Sequence, residues 1–311
     1  MYAAEQTQQL QKMTAALLKK TNAHALVAGD LGGLRDVLRF HEYRYYVMND
    51  PLLADAEYDI LYKQLENIER ETPRLVTPDS PTQRVARDLT KDFPTVQHLV
   101  PMLSLENSYN ADDLVDWDRK ARELTGLKEI EYCVEPKFDG ASISLIYEND
   151  SLTRGATRGN GIEGDEITTN IRQIRSVPLS ASFSSYGLQQ VEIRGEVLMS
   201  KKSFKKYNDQ LTEQGLAPLA NPRNAASGSL RIKDPREVSR RGLEAFLYHV
   251  SYFTGLDGKP ISDILLTHSG SLEMLWNLGF RSPQKEKKVL AGIQAVVDYC
   301  LAFEKERDNL P

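Results

Sequence analysis

Glu-Tyr-Cys-Val-Glu-Pro-Lys-Phe-Asp-Gly, residues 131–140, is the stretch whose reading decides the fold. Tyr132, Cys133 and Val134 are strand formers, and Asp139-Gly140 is a hairpin signal that predicts a turn into the alternating run Ala141 to Tyr147. Side chains two apart share a face of an extended segment, so Glu135, Lys137 and Asp139 are expected to point one way, with Pro136 and Phe138 opposite. Pro136 lacks an N–H for a ladder and marks a strand end or an edge. A lysine flanked by carboxylates is a candidate nucleophile. Its amine must shed a proton, which a partly desolvated site favours. The carboxylates oppose that loss and so need a second task, such as holding a metal or a substrate hydroxyl. The bland alternative is an exposed, ion-paired hairpin.

Around this stretch lies a chain of 311 residues, long enough for one large domain or two ordinary ones. Its 41% hydrophobic and 27% charged content is that of a soluble globular protein. A net charge of -5 is no nucleic-acid footprint, so any DNA contact must come from a local patch or from other domains. Two cysteines, Cys133 and Cys300, make neither a disulfide framework nor a four-ligand zinc site. No apolar run approaches a membrane span and no signal-peptide core is present, so a cytoplasmic location is expected.

Residues 1–28 read as a polar, helix-prone lead-in with Leu10, Met13, Leu17 and Leu18 at helical spacing. A second helix is expected from about Leu34 to Met48, with Leu34, Leu38, His41, Tyr45 and Met48 on one stripe, stopped by Asn49-Asp50-Pro51. A third, capped near Asp55, runs to about Glu71 and puts Asp55, Tyr58 and Asp59 on a shared face. Four prolines punctuate 73–100, which reads as a linker. Residues 111–125 form an amphipathic helix with Leu114, Trp117 and Leu124. In 154–161, glycines allow close backbone approach and Arg158 offers a planar fork for phosphate. Residues 190–199 alternate as a strand, with Val191, Ile193, Val197 and Met199 on one face and Glu192, Arg194 and Glu196 on the other. Small residues at 225–229 suggest backbone approach to a ligand. A buried strand is expected from Leu243 to Tyr252, and amphipathic helices over 268–279 and 290–306, the latter with Cys300 on its apolar side.

Lys137-Phe138-Asp139-Gly140 resembles the active-site lysine motif of the covalent nucleotidyltransferases, and Arg194-Gly195-Glu196 resembles their third motif. The segments 41–47 and 55–59, Thr77 to Val85, 101–107 and 221–231 follow in the order of the bacterial NAD⁺-dependent DNA ligases, and the chain resembles that family from about residue 31 onward. The resemblance implies an α+β protein. A small helical NMN-binding domain (1–72 with its lead-in), a linker (73–100) and a nucleotidyltransferase domain (101–311, ATP-grasp-like, antiparallel sheets with flanking helices) are expected. The last is expected to stop short of the family's final lysine motif.

The resemblance also assigns roles. Lys137 would attack the α-phosphate of NAD⁺, with NMN leaving. Tyr45, Tyr46, Asp55, Tyr58 and Asp59 would hold the NMN half. Ser104, Leu105, Glu135 and Tyr248 would serve the adenine. Asp139, Gly140, Arg158 and Glu196 would lie around the ribose, the phosphate and the attacking lysine. Arg223 and Arg231 would meet phosphates of nicked duplex DNA. Mg²⁺ or Mn²⁺ is expected with the phosphates and not in a metal site of this chain, and zinc only in C-terminal segments of the family beyond residue 311. Ligands are expected to be NAD⁺, NMN, AMP or adenine-site inhibitors, and the chain to be a monomer. A nucleotidyltransferase using ATP or GTP, or a non-catalytic nucleotide-binding domain, are the rival readings.

Overall fold

The computed structural model describes residues 2–23, 25–84, 90, 92–284 and 286–307; of the residues read above, Val85 and 308–311 lie outside them. Three helices make the N-terminal unit: α1 (Ala4–Ala23), α2 (Leu31–Glu42) and α3 (Asp55–Glu71). Leu10, Leu17, Leu34, Val37, Leu38, Phe40, Leu61, Leu65 and Ile68 form its core. Each such side chain removed from water contributes about 1.5–3 kcal/mol, which a three-helix unit of this size needs. A five-residue π turn, Tyr43–Val47, continues α2. The wider turn breaks the expected stripe: His41 is buried, whereas Tyr45 and Tyr46 swing out to solvent. At α3 the cap is Ala54, not Asp55; its N–H donates to the Glu57 carboxylate at 3.2 Å.

The described part of the connector is more ordered than its prolines suggest. It holds helical turns at Pro73–Leu75 and Pro81–Arg84 and the strand β1 (Thr95–Gln97). The Arg84 guanidinium donates to the carbonyls of Arg172, Ile174 and Val177, which seats the turn on the second unit.

That unit contains α4 (Ala111–Thr125), β2 (Glu131–Val134), β3 (Ala141–Glu148), β4 (Ser151–Thr157), β5 (Glu163–Asp165) and α5 (Thr168–Ile171). Next come β6 (Leu188–Met199), α6 (Lys201–Glu213), α7 (Pro222–Leu230), α8 (Pro235–Arg240) and β7 (Leu243–Gly255). Last come α9 (His268–Asn277), β8 (Lys288–Ala291) and α10 (Ile293–Glu306). The main sheet is antiparallel in the order β4-β3-β6-β7. Ile143, Leu145, Val191, Ile193, Val197, Ala245 and Leu247 fill one of its faces and join α7, α9 and Phe280 in a single core.

The expected hairpin at Asp139-Gly140 is absent. β2 pairs with β8, and β3 pairs with β4 and β6, so residues 135–140 bridge two sheets. Neither Asp139 nor Gly140 has the positive φ of a two-residue hairpin turn; Asn149 (48°) and Asp150 (67°) do, and they join β3 to β4. Gly140 is needed for closeness instead: a Cβ there would lie 2.2 Å from the Val197 carbonyl oxygen.

Other expectations are corrected or refined. Leu124 and Trp117 of α4 face solvent, and its buried residue is Asp118, which accepts from Tyr132 Oη (2.6 Å) and Arg122 Nε (2.7 Å). Ala225, Ala226 and Ser229 are buried in α7, where small side chains let the helix lie close on the sheet, while Ser227 and Gly228 are exposed and Ser227 lines the cleft described below. Cys300 is exposed on α10, and Leu290 belongs to β8.

Candidate active site

The polar face of the main sheet is the floor of the site. Ser142, Glu196 and Phe246 stand in register across β3, β6 and β7. Ser142 Oγ donates to Glu196 Oε2 at 2.8 Å, and the Gly140 N–H also donates to that carboxylate. Burial nonetheless pushes the Glu196 carboxyl above its ordinary value; the two hydrogen bonds, Lys137 and Arg223 oppose the rise. The bridging segment lies above. Phe138 stacks on Phe246 (centroids 4.3 Å apart, planes 27°), and the Arg281 guanidinium sits 4.5 Å over the same ring. Phe138 thereby clamps the loop by its middle, and Lys137 beside it is exposed in a cleft of about 2230 Å³. The desolvation expected for this lysine from the sequence is not present, because the cleft is open.

Glu135, Lys137, Asp139, Gly140, Arg158, Glu196, Arg223 and Arg231 all line this cleft. Asp139 pairs with Arg223 at 3.3 Å and Asp165 with Arg231 at 3.2 Å. Glu135 Oε1 accepts from His268 Nε2 at 2.9 Å, while Glu135 Oε2 is buried without a partner. Arg158 Nη2 donates to Ser104 Oγ at 2.8 Å. The irregular segment preceding Ser104 is strapped to the sheet: Arg194 donates to the carbonyls of Val100 (2.6 Å) and Pro101 (3.1 Å), and His98 Nε2 meets the Arg158 carbonyl at 3.1 Å. Arg194 thus spends its charge on a backbone strap and not on the cleft.

Leu105 is exposed, whereas half-buried Tyr248 lies against Ser142 and within reach of Glu196 and Glu135. Burial, with Glu196 adding to it, pushes the Tyr248 phenol up to about 12. On the helical unit the Tyr45 and Tyr46 rings are 4.7 Å apart, and Asp55 and Asp59 are exposed. The Tyr58 hydroxyl donates at 3.2 Å to Glu42, a buried carboxylate that also pairs with Arg175 (2.6 Å) and Arg84 (3.4 Å). Burial and then Glu42 hold that phenol far above its ordinary value. None of these five residues lines the cleft; the residue of the helical unit that borders it is Asn49.

Three residues of the site were not singled out from the sequence. Ser142 had a signal, the polar alternation of its strand. Phe246 and His268 had none, since the partners Phe138 and Glu135 lie more than a hundred positions away. Among the described residues no group of three or more His, Cys, Asp or Glu converges as a metal-ligand set.

Comparison with known proteins covers both parts of the chain. Residues 25–86 match the family described as DNA ligase-like, N-terminal NAD⁺-binding domain, and residues 90–311 match the NAD-dependent DNA ligase adenylation domain. The chain is 57% identical over 279 residues to a DNA ligase of Persephonella marina, covering 89% of this chain and 39% of that protein. It is 52% identical over 319 residues to a DNA ligase of a Sulfurihydrogenibium species (100% of this chain, 45% of the relative) and 48% over 316 residues to that of Aquifex aeolicus (100% and 43%). It therefore spans about two fifths of the length of the relatives it matches. The lysine cleft lies within a match that runs through most of the sequence, and on that ground the chain belongs to the family of NAD-dependent DNA ligase adenylation domains.

Proposed function

We propose that Lys137 is the residue that becomes adenylated. Its Nζ lone pair attacks the α-phosphorus of NAD⁺, a P–N bond forms, the bond to the bridging oxygen breaks and NMN leaves. The displaced amine proton passes to solvent, which reaches Lys137 freely. The observation that carries this reading is the convergence of Lys137, Glu196, Arg158 and Glu135 on one cleft. Each has work that suits its chemistry. The Arg158 fork matches phosphate oxygens, the Glu196 carboxylate accepts from ribose hydroxyls, and Glu135 faces the base. Asp139 lies by the ribose or the lysine. Ser104, Leu105 and Tyr248 complete the adenine end, and Tyr45, Tyr46, Asp55, Tyr58 and Asp59 hold the NMN half.

In the protein completed to the length of its relatives, the adenylate passes to a 5′-phosphate at a nick, and the 3′-hydroxyl then seals it. Arg223 and Arg231 meet the DNA backbone there. The described residues do not fit a resident metal centre. Mg²⁺ or Mn²⁺ enters this reading as a counter-ion of the dinucleotide phosphates, and no step is routed through it. No helix among the described residues is long and apolar enough to cross a membrane, and the reading places a monomer in the cytoplasm. It divides the chain into a helical NMN unit (1–72), a connector (73–100) and the adenylation unit (101–311).

The test is intact mass after exposure to NAD⁺, beside a parallel incubation with labelled ATP. We expect an AMP increment from NAD⁺ alone, absent in Lys137→Ala. An increment on Lys137→Ala, or labelling by ATP alone, overturns the reading.

A further inference from the structure

Glu135 follows directly on the last residue of β2 and belongs to the unpaired bridge, so no strand ladder orients its side chain. Its orientation comes from elsewhere. His268 opens α9, a helix held in the core by Leu272, Met274 and Leu275. The first turn of that helix is doubly fixed: Thr267 Oγ1 accepts from the Gly270 N–H at 3.0 Å, and Gly270 lies so near the Ile264 carbonyl that a Cβ would come within 2.0 Å of it. From this platform His268 Nε2 donates to Glu135 Oε1 at 2.9 Å. The other oxygen, Oε2, is buried in the cleft wall with no partner. Pinning one carboxylate oxygen fixes the direction of the second. Glu135 therefore holds a single unmatched acceptor in a fixed direction, and a base amine that reaches it satisfies an oxygen that water does not.

We propose that His268 is a positioning residue for base selection: by fixing Glu135 it makes the cleft accept a 6-amino purine and turn away a 6-oxo purine. This rests on the reading that Glu135 faces the base. An exocyclic amine donates to the waiting oxygen. A 6-oxo group sets oxygen against oxygen, and a buried acceptor left unmatched is costly. A freed carboxylate can turn instead to the N1–H that a 6-oxo purine carries, so loosening Glu135 relaxes the choice without destroying the site.

The experiment measures AMP and IMP binding to this chain by calorimetry, and lysine adduct formation from NAD⁺ and from its hypoxanthine analogue by intact mass. The proteins are wild type, His268→Ala, His268→Gln and Glu135→Gln. Each preference is a ratio within one protein, so a reduced folded fraction cancels. We expect wild type to prefer the adenine compounds, His268→Ala to lose roughly tenfold of that preference, and His268→Gln, whose amide can donate to the same oxygen, to recover most of it. Glu135→Gln should erase it. An unchanged preference in His268→Ala beside a collapse in Glu135→Gln overturns the role of His268 and leaves the reading of the cleft standing. An unchanged preference in Glu135→Gln overturns that reading, and the proposal with it.

Discussion

Asp139 Oδ1 and Arg223 Nη1 stand 3.3 Å apart across the mouth of the cleft, and both side chains are mostly in water. An exposed pair of this kind contributes at most about 1 kcal/mol, so a phosphate can displace it. Arg223→Ala should leave the melting temperature and NAD⁺-dependent adenylation nearly unchanged. In a protein of the relatives' full length it should lower the slope of log affinity against log salt for a nicked duplex by about one. Fluorescence anisotropy across a salt series reads this directly; an unaltered slope would remove Arg223 from the DNA contact.

Asp59 is exposed on the helical unit, away from the Lys137 cleft. Asp59→Ala should cut adenylation by NAD⁺ by roughly a hundredfold, the scale of a lost hydrogen bond to a charged group. Transfer from pre-adenylated protein to nicked DNA should be spared. Single-turnover mass measurements separate the two half-reactions, and an equal loss in both would give Asp59 another task.

Gly140 has no room for a side chain, because the neighbour it would strike is the backbone oxygen of Val197. Gly140→Ala should destabilise the second unit by about 3 kcal/mol and lift the bridge off the sheet. Urea unfolding, followed by the near-ultraviolet signal of the Phe138–Phe246 region, checks both effects. Wild-type stability in the variant would mean the bridge adapts freely.

His41 is buried against Thr14, its Nε2 3.0 Å from Thr14 Oγ1. Burial first, and Arg44 second, bring the imidazole down to about 4, with Glu57 opposing. Between about pH 6.5 and 4 the unfolded chain therefore binds the proton and the folded chain does not. Stability is complete above that window and falls as the pH drops through it. The urea midpoint of the helical unit should decline from pH 7.5 to 4.5 more steeply in wild type than in His41→Gln. Parallel declines would show that His41 takes up its proton equally in the folded and unfolded states.

What the sequence made legible was what neighbours in sequence decide. The span of α3, the alternation of β6 and the lysine motif all rest on contacts within a few residues. The π turn was invisible, since Leu34, Leu38, His41, Tyr45 and Met48 satisfy a helical stripe until one extra residue enters the turn. Asp139-Gly140 spelled a hairpin, but Val134 found its partner in Lys288, far along the chain. Apolar spacing in α4 promised a buried face that the structure leaves to solvent. Of the site, the residues that carry charge were readable from their motifs. Those that aim them, Ser142, Phe246 and His268, depend on which strands and helices come to lie together.

The bridge 135–140 has a mechanical consequence. Because it belongs to neither ladder, a change in the angle between the β2–β8 ribbon and the main sheet is absorbed there without breaking a strand hydrogen bond. The Phe138–Phe246 stack is then the pivot, and Lys137 rides next to it. A nucleotide bonded to that lysine would be tethered at the joint of a pair of jaws, where the walls can part or close around it while the attachment point scarcely moves.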